Sequence, residues 1–242
     1  MFRLIAFIFF AFGSMYVAAA QELPHVVDNV VVFQEDDRFG GWPANNGIWN
    51  WDDEIVVGFT LGYYKENPRG GHDIDYERPS PMSQARSMDG GRTWTIEDPH
   101  IGEDEDDDSP ADLDKPVDFS NPNLALRFRN DRWHVSTDRA KTWRGPYQLP
   151  TFGRPGLLAR TDYIVEGKDR VTAFVTAEKE EGREGQPLCI RTTDGGRTWE
   201  LVGWIGPQPP VDDYGYAIMP ATVRIAGDGY FSMIRRGGEF DG

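Results

Sequence analysis

The stretch GGHDIDYERP (residues 70–79) puts an imidazole and two carboxylates within four positions: His72, Asp73 and Asp75. Carboxylates can give and take protons, and a histidine titrates near neutrality, so either residue type suits general acid–base catalysis. Asp73 and Asp75 alternate with Ile74, which in an extended segment turns both carboxylates to one face. The neighbouring glycines and aromatic residues describe a shaped loop, the usual carrier of functional side chains. Two solvated acids are the plainer reading of the same residues.

The elements that must hold such a loop are announced by a repeat. SMDGGRTW (residues 87–94) returns as TTDGGRTW (residues 192–199), with a degenerate copy, STDRAKTW (residues 136–143), between them. All three obey Ser/Thr-x-Asp-x-Gly/Ala-x-Thr-Trp. Their tryptophans, Trp94, Trp143 and Trp199, lie 49 and 56 residues apart, the spacing of propeller blades. Between the copies, short β-rich runs alternate with polar turns, as in LALRF-RND-RWHVS and DYIVE-GKD-RVTAFVTA. Each such pair reads as two antiparallel strands, and MSQARS and LCIRT read as third strands running into the motif. No window outside the first twenty residues has helical periodicity. An all-β chain of small stacked sheets follows.

The motif itself reads as a lock on a turn. Asp89 can fold its carboxylate onto N–H groups of its own turn, Gly91 supplies a positive φ, Thr93 begins the next strand, and Trp94 can tuck between sheets. In the middle copy Ala140 replaces the glycine, so that turn is expected to be strained or differently shaped.

Ser-x-Asp-x-Gly-x-Thr-Trp resembles the Asp box of the sialidase-like (neuraminidase, BNR-repeat) β-propellers. The resemblance spans nearly all of residues 21–242 and implies a six-bladed ring, of which this chain holds about the first four blades. It implies glycan chemistry: exo-hydrolysis of terminal acidic sugars, with arginines gripping the substrate carboxylate through bidentate forks. Arg38, in RFGGWPANNG, stands where the first such arginine is expected, although the family's Arg-Ile-Pro is not kept. The acid/base aspartate falls to Asp73 or Asp75, with His72 as rival. Arg235 or Arg236, in MIRRGG, matches a second arginine. Met219, before Pro220, stands where the family has the glutamate that activates its tyrosine nucleophile. Tyr214 is a further candidate for the same cleft. Two other functions remain open: a polysaccharide lyase, with His72 and a tyrosine moving protons beside a uronate, and a non-catalytic carbohydrate-binding propeller.

Composition narrows the partners. The formal net charge of −15 over 242 residues repels nucleic acid and anionic membranes; a glycan partner is what the family resemblance implies, and a monomer is expected. No cofactor is expected. The acidic run EDEDDDSPADLD (residues 103–114) does not fit a calcium loop, because counting from Asp104 the required glycine and glutamate are Ser109 and Lys115. Cys189 is the single cysteine, so no internal disulfide forms, and its apolar neighbours place it in a buried strand. Residues 1–20 have the layout of a secretory signal: one basic residue, an apolar run, then small residues. They imply a secreted or periplasmic protein.

Overall fold

The computed structural model describes residues 28–101, 109–208, 215–227 and 229–237. The signal segment, the first half of the acidic run and Tyr214 lie outside these residues. Within them the chain is all-β apart from one four-residue helix, and every strand pair is antiparallel.

Four sheets follow one another in sequence. The first is built on β3 (Glu54–Tyr63), whose far half pairs with β1 (Arg38–Gly41) and whose near half pairs with β2 (Ile48–Trp51). The chain between β1 and β2 bulges into α1 (Pro43–Asn46). Gly58 permits this, because a Cβ there would meet Asn46 at 2.9 Å. β4 (Met82–Ser87) and β5 (Thr95–Glu97) complete the sheet. The second sheet is β6 (Ala125–Arg129), β7 (Arg132–Ser136) and β8 (Arg144–Gln148). The third is β9 (Tyr163–Gly167), β10 (Arg170–Glu178), β11 (Glu184–Thr192) and β12 (Glu200–Trp204), in that spatial order. The fourth is the pair β13 (Tyr216–Arg224) and β14 (Tyr230–Gly237).

The sheets stack face to face. Phe128, Trp133 and Val135 of the second sheet meet Val171, Val175 and Ile190 of the third in the main core. Trp49 and Val56 of the first sheet meet Ala125 and Ala140 of the second in a smaller one. Stacking in sequence order is how blades of a propeller bury apolar faces that no single small sheet could hide.

The second sheet departs from the expected pattern. Its motif follows the β6–β7 pair directly, so these strands correspond to the second and third strands of the neighbouring sheets, and no inner strand of its own is present among the described residues. Residues before β9 touch the turn between β6 and β7 through a bridge from Asn130 to Ala159, and pair with β10 of the third sheet through a bridge from Leu157 to Ala177.

The three Asp boxes share one geometry. In each, the aspartate accepts from the backbone N–H and hydroxyl of the threonine four residues on, at 2.6–3.0 Å. The N–H of Gly91, Ala140 or Gly196 donates to the motif's first hydroxyl at 2.8–2.9 Å. The middle turn therefore keeps its shape, and strain is what remains: Arg139 and Ala140 hold φ of 62° and 59°, a region that costs a side-chain-bearing residue about 1–2 kcal/mol. Thr93 serves as the aspartate's partner, and the next strand starts later, at Thr95. Trp199 is buried against Phe128 and Trp133, and Trp143 lies on Trp49, each reaching back to the preceding sheet. Trp94, with no preceding sheet among the described residues, is only half-buried.

Candidate functional site

Antiparallel succession gives the stack two ends. The Asp-box turns share one end with the hairpin turns that follow β2, β9 and β13; Gly90 N–H donates to Asp53 and Gly195 N–H to Asp169. The loop of residues 64–81 between β3 and β4, the start of β1 and the finish of β14 lie at the other end. His72, Asp73, Asp75, Arg38, Arg235 and Arg236 are thus at the end away from Asp89, Asp138 and Asp194.

Around the first sheet the predicted residues are close neighbours. Arg38 donates from Nε to the Gly62 carbonyl at 2.9 Å and lies over the Tyr63 ring, 4.5 Å from its centre. Arg78 covers the same ring at 3.0 Å. His72 Nε2 accepts from the Trp42 indole at 3.3 Å, with the rings edge to face. Ile74 is buried and bridges Tyr64, so Asp73 and Asp75 do turn away from the core together, at an isolated bridge where a full strand was one expectation. Asp73 accepts from the Asn67 N–H at 2.8 Å. Asp75 accepts from Lys65 Nζ at 3.1 Å and from the Glu77 N–H at 3.2 Å. The Lys65 hydrogen bond is the main reason the Asp75 carboxyl titrates below its ordinary range.

A cavity of about 310 Å³ opens at this end where the first three sheets meet. Trp42 and Tyr76 give it aromatic walls; Asn45, Arg129 and Arg160 give it polar ones. Arg160 is fixed by Asn45 Oδ1 at 2.8 Å, by the Leu158 carbonyl at 3.0 Å and by Glu184. The predicted residues do not line this cavity. Trp42 and Tyr76, which do, connect it to His72 and Asp75.

Arg235 and Arg236 stand on β14, opposite Ile218 and Ala217. Arg235 faces Met219, whose sulfur lies 4.0 Å from its NH1, and it reaches over Tyr216 at 5.8 Å. Met219 sits at φ 54° in a register shift of β13. A glutamate at this bulge would therefore be next to Arg235. Neither arginine lines the cavity of Trp42 and Arg160.

Sequence reasoning missed Arg129 and Arg160. A signal existed: Arg160 precedes the first strand of its sheet much as Arg38 opens β1, and Arg129 closes β6 much as Arg235 nears the finish of β14. A second cavity, of about 720 Å³, lies between β2 and the start of β9, with Trp49, Asn50, Trp51 and Asp162 among its walls. Burial pushes the Asp162 carboxyl up to about 6 despite hydrogen bonds from Thr222. Among the described residues no group of three His, Cys, Asp or Glu side chains is placed to hold a metal ion. Cys189 lies in β11, buried, its thiol pushed up to about 11 by that burial, which leaves it unreactive.

No protein-family model matches the chain, and no curated protein matches it. Among solved structures, the chain is similar to an alpha-L-arabinanase of Penicillium chrysogenum, solved with arabinobiose, at 14% identity and a TM-score of 0.45. The likeness covers 76% of this chain and 54% of the arabinanase, so the chain spans about half of that protein's length.

Proposed function

We propose that this protein is a secreted, glycan-active propeller of sialidase-like architecture that hydrolyses terminal acidic sugars from the chain end. The observation that carries the reading is the 310 Å³ cavity. Its two aromatic walls suit the apolar faces of a sugar ring, and the guanidinium groups of Arg129 and Arg160 suit a carboxylate. Asp73 and Asp75 stand beside it as the proton-transfer groups. The six-bladed ring belongs to the same proposal. Ile96 on the first sheet, and Val223, Phe231 and Met233 on the fourth, are exposed apolar residues of the kind that adjoining blades would cover.

Incubation with sialosides and a panel of uronic-acid polysaccharides tests this. Release of a terminal sugar, abolished in Arg160→Gln and in Asp73→Asn or Asp75→Asn, is the expected result. No release from any of them ends the hydrolase reading. A binding propeller is the second reading, favoured by two observations. Met219 replaces the family's glutamate, and the Lys65 pairing keeps Asp75 ionised and unable to donate a proton. Saturable glycan binding without turnover, retained in the double variant of Asp73 and Asp75, would establish that reading.

A further inference from the structure

At the Asp-box end, far from the cavity of Trp42 and Arg160, the third and fourth sheets enclose a smaller cavity of about 270 Å³. Five side chains line it: Glu166 near the finish of β9, Arg170 at the start of β10, Arg191 of β11, Arg224 at the finish of β13 and Tyr230 at the start of β14. Three guanidinium groups thus face one carboxylate, on a chain whose formal net charge is −15.

Glu166 does not use up these donors. Its Oε2 accepts from Thr172 Oγ1 at 2.7 Å and lies 3.3 Å from Arg191 Nε. Its Oε1 accepts from Arg224 NH2 at 3.3 Å and from the Tyr230 hydroxyl. Arg191 Nε also donates to Thr172 Oγ1 at 2.9 Å. A guanidinium carries five N–H donors, so most of those on Arg191 and Arg224 remain, and Arg170 has no ion-pair or hydrogen-bonding partner for its side chain among the described residues. The carboxylate holds Arg191 and Arg224 in place across the two sheets and orders the pocket before any ligand arrives. A surplus of two positive charges is left over. Three arginines approaching from three strands offer donors from three directions. That matches a tetrahedral anion better than a planar carboxylate, which a single fork satisfies.

We propose that this cavity is a binding site for a tetrahedral oxyanion of the sulfate or phosphate type, either free in solution or borne as an ester on a polysaccharide. The site is independent of the glycosidase reading, because it uses none of that cleft's residues and lies at the opposite end of the sheets.

Isothermal titration of the whole protein with sodium sulfate, inorganic phosphate and a sulfated oligosaccharide, at fixed ionic strength in chloride, tests it. Saturable binding of at least one of the three is expected. Arg170→Gln should weaken it about tenfold, the loss of one charged contact, with an unchanged melting temperature, since Arg170 supports nothing else. Arg160→Gln, at the other end, should leave it unaltered. A sulfated oligosaccharide binding more tightly than both inorganic anions identifies the ester as the ligand; equal affinities identify the free anion. Absence of saturable binding by all three probes overturns the proposal. So does binding that survives Arg170→Gln unchanged, or that is lost in Arg160→Gln instead.

Discussion

Glu54 and Arg86 meet at 2.6 Å, and both side chains are almost wholly shielded from solvent, at 6% and 7% exposure. They join β3 to β4 and, through a third residue, the first sheet to the second. Arg139 NH1 donates to the other Glu54 oxygen at 2.8 Å, while Arg86 donates to the Arg139 carbonyl at 3.0 Å. This accounts for the degenerate Asp box. Where the other copies have Gly-Gly, this one has Arg139-Ala140. The arginine reaches Glu54 and Asn123, and the alanine methyl is buried between the sheets. Those contacts offset the strain of two positive-φ residues.

Glu54→Ala should therefore weaken the joint between the first two sheets. Burial alone raises the Glu54 carboxyl, but Arg139 and Arg86 outweigh it and hold it below the ordinary range. Removing one partner of a buried pair costs about 3–5 kcal/mol. Because Glu97 still pairs with Arg86 at 2.8 Å, about 2–3 kcal/mol is expected here. Urea unfolding should show a lowered midpoint. A loss below about 0.5 kcal/mol, the range of ordinary surface substitutions, would mean that the joint does not depend on this pair.

The Asp boxes should differ in what they stabilise. Asp194 closes a turn whose Trp199 sits in the main core, so Asp194→Ala is expected to cost about 0.5–1.5 kcal/mol through hydrogen bonds lost to the exposed Thr198 and to the Thr192 hydroxyl. Asp89 closes a turn whose Trp94 is half-buried, so Asp89→Ala should cost clearly less. Chemical denaturation of both variants measures the difference, and glycan turnover or binding per folded molecule should match wild type in each. A fall in function without a fall in stability would show that the motif takes part in chemistry.

The sequence made the sheets legible because local rules wrote them: short β-rich runs marked β6, β7, β9 and β10, and polar turn residues separated them. The Asp boxes were legible for the same reason, since the hydrogen bonds of the motif's aspartate and of its first hydroxyl stay within the eight residues. The lack of an inner strand in the second sheet, among the described residues, was not, nor was the bridge from Asn130 to Ala159 that ties its turn to the segment before β9, a contact visible only after folding. The lining of the candidate cavity was not legible, since none of its residues is one the sequence singled out. Residue type and loop composition point to His72, Asp73 and Asp75, which lie beside it, next to Trp42 and Tyr76. Arg129 and Arg160 come from different sheets and converge only when the sheets stack. Nothing in a linear reading separates them from the other arginines.

Asp162 gives the protein a pH dependence with a definite sign. Its folded pKa, about 6, lies above the ordinary 3.8. The stability this carboxyl allows is complete below about pH 4 and is lost as pH rises to about 6, after which the penalty is constant. Asp162→Asn removes the titration while preserving shape. The variant should match wild type near pH 4 and exceed it by about 2–3 kcal/mol at pH 7.5. Comparing the two proteins cancels the opposite trend of the carboxylates held low elsewhere. A variant less stable than wild type at pH 7.5 would refute this account.

The choice between Asp73 and Asp75 can be made with Lys65. The carboxyl of Asp75 is held below its ordinary range first by Lys65, then by the Glu77 N–H and Arg78, with desolvation opposing. If the glycosidase reading holds and Asp75 acts as the base, its ionised form is the active one. The acidic limb of kcat/KM, which reports the free enzyme, should then lie below the ordinary aspartate range. Lys65→Met removes the main cause of the depression, so the limb should move up toward pH 4 while the neutral-pH plateau stays. Asp75→Asn should lower the plateau by about 10²–10⁴-fold, the usual worth of a positioned acid or base. If the acidic limb is unmoved in Lys65→Met, and Asp73→Asn rather than Asp75→Asn lowers the plateau, the base is Asp73. Asp75 then serves to fasten Lys65 to the loop.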